Sequence, residues 1–258
     1  MKPDIDHPIQ IIFQIQARIA DLHPFLEKVF PIAIAEEGRF FIFDKAPLEP
    51  RYLLVKTAPT PMPIPQGVRA AFPLEAYDNQ IVCVVTEDVF DTLDGYATIF
   101  HEFIHCQQFE HGETSLKETL KIYHQAQAKN DFMWEITYPF PYQTPQFFTP
   151  YAAFLEAADG EELEEILRFR EKLAHGLDRE DLEYLVWQEW KEGFARWIEN
   201  RIRSRLGIEE NHAGKEQPFS RVSLYEGGSR WIDFLVKYNK INPENIVDLF
   251  HKMIKLKG

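Results

Sequence analysis

One five-residue segment of the chain combines residue types and a spacing that suit metal chemistry: His101-Glu102-Phe103-Ile104-His105, an HExxH sequence. On a helix, residues four apart lie on one face about one turn apart, so both imidazoles can reach the same ion. Zinc accepts imidazole nitrogens as ligands and prefers four donors in a tetrahedron. Glu102 lies about 100° round the helix from His101, so its carboxylate stands beside the ion and can accept a proton from a bound water. The segment predicts a zinc ion with Glu102 as its general base.

A catalytic zinc ion also needs a third protein ligand, and His111 is one candidate. It follows His101 by ten residues, which matches the HExxHxxGxxH signature of the metzincins. In that signature the glycine ends the helix and brings the third histidine back to the ion, but Gln108 occupies this position here. If the helix continues, His111 lies about 240° round the axis from His105 and points away from the ion. His111 therefore stays an alternative ligand.

A second candidate lies in Glu192-Gly193-Phe194-Ala195-Arg196-Trp197, which follows much later in the chain. Together with the HExxH sequence, this segment resembles the EGxAxY/W pattern of the gluzincin zinc metallopeptidases. In that group the glutamate before the glycine is the third zinc ligand, so the resemblance implies that Glu192 completes the site with the two histidines. The resemblance covers residues 81–110 and 185–240, and it departs at Gln107, where a hydrophobic residue is usual.

The helical pattern around Glu192 leaves a rival ligand open. The apolar stripe of this predicted helix runs through Leu182, Val186, Trp190, Phe194 and Trp197. Glu192 lies well off the stripe, whereas Glu189 lies closer to its edge. Glu189 therefore remains an alternative ligand, and both glutamates also suit a solvated face on which they pair with Lys191 and Arg196.

The resemblance implies a peptidase mechanism and a second catalytic side chain. Zinc lowers the pKa of a bound water toward neutrality, Glu102 takes the proton, and the hydroxide attacks a peptide carbonyl that the metal polarises. Related enzymes stabilise the resulting oxyanion with a tyrosine or histidine from a later helix. Tyr225, at the predicted start of such a helix, is assigned to this role, and His212 and Tyr238 are alternatives. The expected partner is a peptide or protein substrate.

Two other functions remain open from the sequence. A catalytically silent zincin-fold module would bind a peptide or a partner protein, although a structural zinc site has no use for a general base at Glu102. Zinc-dependent hydrolysis of a bond other than a peptide bond is the second alternative.

The composition excludes several further classes. The chain has 258 residues, with 41 acidic and 28 basic side chains and a net charge of −13, which argues against binding to nucleic acids or to anionic membranes. No stretch approaches the length of a membrane span, and residues 1–30 lack the apolar core of a signal peptide. Cys83 and Cys106 are too few for a disulfide scaffold. We therefore expect a cytoplasmic protein without a membrane or nucleic-acid partner.

The elements that must position these residues are strands early in the chain and helices late. Aromatic and branched runs predict strands at 39–43, 51–56 and 81–86, the last of them buried, and a proline-rich extended segment at 58–65 that cannot be a central strand. The 3.6-residue period predicts helices at 5–30, 96–110, 114–129, 161–174, 178–206, 222–239 and 244–256. Residues 132–151, rich in proline and aromatic residues, predict a long loop that either closes over the site as a lid or packs on the surface.

This order of elements predicts an α+β, zincin-like fold, with a small N-terminal sheet and the HExxH helix followed by a mainly helical C-terminal part. The length fits a single catalytic domain over residues 1–258, or two subdomains at 1–130 and 131–258 with the third ligand on the second. Aromatic residues make up 14% of the chain and concentrate at 132–151 and 184–197. They suit either the lining of a peptide cleft or the core.

Overall fold

The computed structural model describes residues 7–255. The chain divides into two compact units. The first comprises the chain up to Glu110 together with Ile198–Asn211, and the second comprises His111–Trp197 and the chain from His212 onward. The protein has an α+β fold, with a five-stranded mixed sheet near its N-terminus and a mostly helical C-terminal part. Within residues 7–255, no helix combines the length and the apolar character that a membrane span requires.

The sheet of the first unit is built from β1 (Ile32–Glu36), β2 (Arg39–Lys45), β3 (Tyr52–Pro59), β4 (Arg69–Leu74) and β5 (Gln80–Val85). The strand order is β3-β2-β1-β5-β4, with β1 and β5 parallel and the other neighbours antiparallel. The predicted buried strand is confirmed, because β5 is an interior strand and Ile81–Val85 are buried. The proline-rich segment follows β3 at one edge of the sheet, where a missing N–H breaks no ladder.

Strands β1 and β4 were missed by the sequence patterns. Strand β1 (IAIAE) is only five residues long and leads into β2 through Glu37 and Gly38, both at positive φ. Strand β4 contains Pro73, which a central strand would not tolerate. It is accommodated because β4 is the other edge strand.

Helix α1 (Pro8–Ile19) is shorter than the predicted 5–30, of which residues 5–6 lie outside the described chain. Two short 3-10 turns replace the rest, Ala20–Leu22 and Pro24–Leu26. Between them His23 has an extended backbone, and its Nδ1 accepts a hydrogen bond from Phe25 N–H at 3.1 Å. The chain therefore leaves the helix before Pro24 because a local side-chain bond competes with the helical one.

Helix α2 (Leu93–Gln108) carries the HExxH sequence and packs against β4 and β5. The side-chain oxygen of Thr92 caps its start by accepting a hydrogen bond from Gly95 N–H at 3.1 Å. Gln107, where the gluzincin pattern has a hydrophobic residue, is buried, and its Nε2 donates to Phe25 O at 2.9 Å. That polar residue is therefore tolerated because its amide is hydrogen-bonded.

Two of the predicted helices, 114–129 and 178–206, are interrupted, and the remaining helices follow α2 in the chain. They are α3 (Thr114–Lys117), α4 (Lys121–Ala128), α5 (Trp134–Thr137), α6 (Pro145–Asp159), α7 (Leu163–Gly176), α8 (Arg179–Gln188), α9 (Phe194–Leu206), α10 (Arg221–Tyr238) and α11 (Ile246–Ile254). Single π-helical turns, Phe109–Glu113 and Glu189–Gly193, join α2 to α3 and α8 to α9. The predicted helices at 161–174, 222–239 and 244–256 are confirmed within a few residues.

The prediction of a loop over 132–151 is wrong for most of that segment. Helix α5 and the first half of α6 lie within it. Pro145 occupies the first turn of α6, where its missing N–H would have no helical partner in any case. Pro150 lies inside the same helix, beyond its first turn. The number of prolines was therefore misleading as a sign of a loop.

The aromatic side chains at 184–197 belong to the core. Tyr184, Trp187, Trp190 and Phe194 are fully buried. Trp187 and Trp190 both pack on Phe250 of α11. The ring centroid of Phe250 lies 6.2 Å from that of Trp187 and 5.7 Å from that of Trp190. The alternative of core packing is therefore correct for these residues, and they hold the helices of the second unit together.

A partly buried cluster of two lysines and two glutamates makes the second unit sensitive to acid. Lys117 and Lys191 each pair with both Glu113 and Glu135, at 2.7–3.0 Å. Burial acts to raise the pKa of Glu135, but Lys191 and Lys117 outweigh it and lower that pKa to about 2. The stabilisation is therefore complete above the unfolded pKa near 4.5 and is lost as the pH falls toward 2.

We expect the free energy of unfolding to fall by up to about 3 kcal/mol between pH 5 and pH 2 through Glu135 alone. Glu135→Gln should be less stable at pH 7 and should show a shallower acid dependence, measured by urea unfolding at several pH values. Glu164→Gln, at an exposed position of α7, is the control and should keep the stability at pH 7. Identical acid profiles for the wild type and Glu135→Gln would contradict this account.

Candidate metal centre

His101, Glu102 and His105 lie on one helix, α2, as the HExxH spacing predicted. All three are buried, each 7% exposed. The two imidazole rings are neighbours, with centroids 4.8 Å apart and planes at 75°. Two polar rings placed side by side in a buried position would be costly without strong partners, which makes their hydrogen bonds informative.

The Nδ1 atom of His101 is bound by a carboxylate. Glu199, a buried residue of α9 in the same unit, lies with Oε2 at 2.9 Å from this nitrogen. Its Oε1 accepts from Asn211 Nδ2 at 3.1 Å and from Arg203 at 3.3 Å. An ionised carboxylate only accepts, so His101 Nδ1 carries the hydrogen and Nε2 keeps a lone pair for an ion.

His105 is oriented in the same way by an amide. Its Nδ1 lies 2.9 Å from Gln108 Oε1, and Gln108 is fully buried. An amide oxygen also only accepts, so Nδ1 donates and the unprotonated nitrogen of His105 is Nε2. Gln108 is the residue that replaces the glycine of the metzincin signature, and in this structure it holds a histidine in place.

Glu199 and Gln108 are site residues that the sequence analysis missed. Gln108 had a local signal, since it lies three residues after His105 and therefore on the same face of the helix. Glu199 had none, because it is 98 residues from His101 along the chain and only folding brings the two together.

Glu192 lies in the π turn between α8 and α9. A π turn adds one residue to a helical turn, so side chains after it are displaced round the axis from their α-helical positions. A helical wheel through this segment therefore misplaces its residues. The turn is held by a close crossing, because a Cβ at Gly193 would lie 2.5 Å from Gly228 Cα of α10. Side chains at these glycines would push the two backbones apart.

The structure places the rival ligand Glu189 in another interaction. Its carboxylate is fully buried and accepts two hydrogen bonds from Arg170, each 2.7 Å long. Tyr151 Oη is a further donor at 3.4 Å. Both oxygens of Glu189 are thus engaged by a guanidinium in bidentate geometry, which is a strong structural pair.

His111 is exposed and lies in the π turn that follows α2, next to Gly112 at φ 153°. The chain kinks at Gly112, between the predicted helices at 96–110 and 114–129, and continues as α3. Neither His111 nor Glu189 belongs to a group of three or more potential metal ligands among the residues that the structure describes.

His101, His105 and Glu192 do form such a group. One ligand atom from each lies within 4.8 Å of the others. Ligands about 2.1 Å from a tetrahedral zinc ion are about 3.4 Å apart, which is within the 4.8 Å limit met by these three atoms. Two imidazoles and one carboxylate are also the donor types that zinc accepts. The residues present therefore fit a zinc ion.

The candidates for stabilising an oxyanion lie on or before α10. Tyr225 is half-buried, with the guanidinium groups of Arg196 and Arg221 at 5.7 and 5.2 Å from its ring centroid. His212 Nδ1 lies 3.1 Å from Glu226 Oε1. Tyr238 is 13 residues further along the helix than Tyr225, about 20 Å, so these two tyrosines cannot serve the same site.

The hydrogen bond of Glu199 to His101 yields a test that needs no substrate. We expect Glu199→Gln to weaken zinc binding by about tenfold and Glu199→Ala by about a hundredfold, because the imidazole loses its charged acceptor. Competition with a chromogenic chelator measures both affinities. Glu209→Gln, at an exposed position after the same helix, should bind zinc like the wild type. An unchanged affinity in Glu199→Ala would show that this carboxylate does not orient a ligand.

Comparison with protein-family models, with curated proteins and with solved structures gave no match. The function is therefore inferred from the chemistry of the residues themselves.

Proposed function

We propose that the protein is a zinc-dependent metallopeptidase of the gluzincin type, with a zincin-like fold. The observation that carries the proposal is the group formed by His101, His105 and Glu192, with Glu102 between the two histidines on the same helix. A structural zinc site needs only ligands, whereas this arrangement adds a buried carboxylate beside them. That extra carboxylate favours an enzyme over a silent binding module.

A zinc ion held by these three residues would supply Lewis acidity, lowering the pKa of a coordinated water and polarising a carbonyl. Glu102 accepts the proton of the attacking water as its oxygen forms a bond to the carbonyl carbon. Glu102 then donates this proton to the amine nitrogen as the C–N bond breaks, so one carboxylate serves as base and then as acid. Tyr225 remains the proposed hydroxyl donor to the oxyanion.

The substrate is an extended peptide in this proposal. Strand β4 is an edge strand, so one side of its backbone has no partner strand, and it packs against α2, the helix of Glu102. A peptide that pairs with β4 through main-chain hydrogen bonds would be held beside that helix with little dependence on its sequence. The main packing contacts of α2 with the sheet are with β4 and β5, and the other edge strand, β3, lies at the opposite side of the sheet.

We also propose that the protein is cytoplasmic. Cys83 and Cys106 are both free and buried, which suits a reducing compartment. With the acidic net charge, this supports a cytoplasmic enzyme that acts on peptides or proteins and does not bind nucleic acid.

The decisive experiment is hydrolysis of casein and of a fluorogenic peptide library by the full chain. We expect cleavage by protein loaded with one equivalent of zinc, loss of cleavage with 1,10-phenanthroline, and recovery when zinc is restored. Stoichiometric zinc binding without any turnover would favour the silent module instead. Failure to bind zinc would contradict both the peptidase and the silent zinc-binding module.

A further inference from the structure

One guanidinium next to Glu192 is held differently from those of Arg170 and Arg230 in the same unit. Arg221, the first residue of α10, has its Nη1 atom 3.6 Å from Glu192 Oε1. This distance exceeds a hydrogen bond. Among the described residues, Arg221 pairs with no other carboxylate, and its side chain is about one-third exposed at 32%. Its N–H donors are therefore available to a ligand beside Glu192.

Two nearby arginine–glutamate ion pairs have the short hydrogen bonds of pairs that stabilise the fold. Arg170 holds Glu189, three residues before Glu192, through two hydrogen bonds of 2.7 Å, and both groups are fully buried. Arg230, on the same helix as Arg221 and 28% exposed, binds Glu226 at 2.8 Å and Asp159 at 3.2 Å. Within the described residues Arg221 has no hydrogen-bonded carboxylate of this kind, and it makes the 3.6 Å ion pair with Glu192 and a contact with the ring of Tyr225.

The guanidinium of Arg221 lies against an aromatic ring. Tyr225, one turn later on α10, has its ring centroid 5.2 Å from the guanidinium of Arg221, and Arg196 stands 5.7 Å from the same ring. Two cations thus flank a phenol in the neighbourhood of the candidate metal ligand. This part of the second unit is suited to a negatively charged oxygen.

We propose that Arg221 is a catalytic residue of the peptidase, whose guanidinium donates hydrogen bonds to the oxyanion of the tetrahedral intermediate. This inference rests on the proposed function. In that step the water oxygen bonds to the carbonyl carbon, the π electron pair of the carbonyl moves to its oxygen, and Glu102 holds the proton removed from water. Glu192 would help to hold the ion that polarises the substrate carbonyl, and Arg221 is the cation beside Glu192, with Nη1 3.6 Å from Oε1.

The kinetic test compares zinc-loaded wild type with Arg221→Met, Arg221→Lys and the matched control Arg230→Met. We expect Arg221→Met to lower kcat by about 10²–10³-fold with KM changed less than about threefold, since the donor acts on the oxyanion and not on the ground state. Arg221→Lys should recover part of the loss, and zinc content should stay at one equivalent. Arg230→Met should keep the wild-type kcat. A raised KM at constant kcat, confined to substrates with a free C-terminal carboxylate, would overturn the proposal.

A binding test separates failure of this inference from failure of the proposed function. A phosphonamidate peptide carries a tetrahedral anionic group, whereas a thiol peptide of the same sequence binds zinc without one. Calorimetry should show about 10²–10³-fold weaker phosphonamidate binding in Arg221→Met and unchanged binding of the thiol peptide. If the wild type binds both probes but hydrolyses nothing, the peptidase proposal fails while this comparison still decides the role of Arg221. Equal effects on the two probes, or none, would overturn it.

Discussion

Replacing Glu102 by glutamine is expected to lower kcat by about 10²–10⁴-fold while zinc remains bound. Glutamine has nearly the same shape but does not accept a proton from the attacking water, and the metal-facing residues of α2 are unchanged. Because Glu102 is buried, bulk water offers no ready replacement for the base. The loss should therefore appear in kcat and not in metal content.

The measurement is steady-state cleavage of a fluorogenic peptide, with zinc quantified in the same samples. Glu110→Gln is the matched control, since this glutamate lies just beyond the same helix, is partly exposed, and pairs with Lys28 at the surface. It should retain the wild-type rate. A Glu102→Gln protein as active as the wild type would exclude Glu102 as the base, and zero turnover in both proteins would favour the binding module.

The second large effect concerns the third ligand. Glu192→Ala is expected to weaken zinc binding by more than about 100-fold, which exceeds the usual effect of losing a residue that only orients a ligand. Two histidines alone leave zinc without a complete set of protein donors. Zinc content after dialysis against a weak chelator measures this directly.

Two control variants distinguish the alternatives. His111→Ala should keep its zinc, because His111 is outside the ligand group. Glu189→Gln should lose about 3–5 kcal/mol of stability, since it leaves Arg170 buried with a weakened partner. Loss of zinc in His111→Ala with retention in Glu192→Ala would instead support the metzincin-like site.

Local sequence patterns sufficed for the elements that carry the histidines. A continuous apolar run predicted the buried strand β5, and the HExxH segment was correctly placed on a helix after it. Both features repeat within a few residues, so neighbouring side chains alone encode them. The order of strands before helices, which is typical of an α+β fold, was predicted for the same reason.

The patterns failed where distant contacts or unusual turns decide the conformation. The π turn at Glu189–Gly193 changes the phase of the helix, so a wheel with a constant 100° step leaves Glu189 and Glu192 unresolved. Helix α6 begins at Pro145, a residue that composition alone assigns to a loop. Edge positions for β3 and β4 emerged only from the strand order.

The sequence by itself determined a pair of histidines one helical turn apart with a carboxylate between them, because that geometry follows from the helical repeat. Only the tertiary structure paired Glu189 with Arg170 and placed a ligand atom of Glu192 within 4.8 Å of those of the two histidines. It also decided that Glu199 orients His101 and that Arg221 stands beside Glu192. These choices depend on residues about 20 to 100 positions apart, whose proximity is set by packing and not by local periodicity.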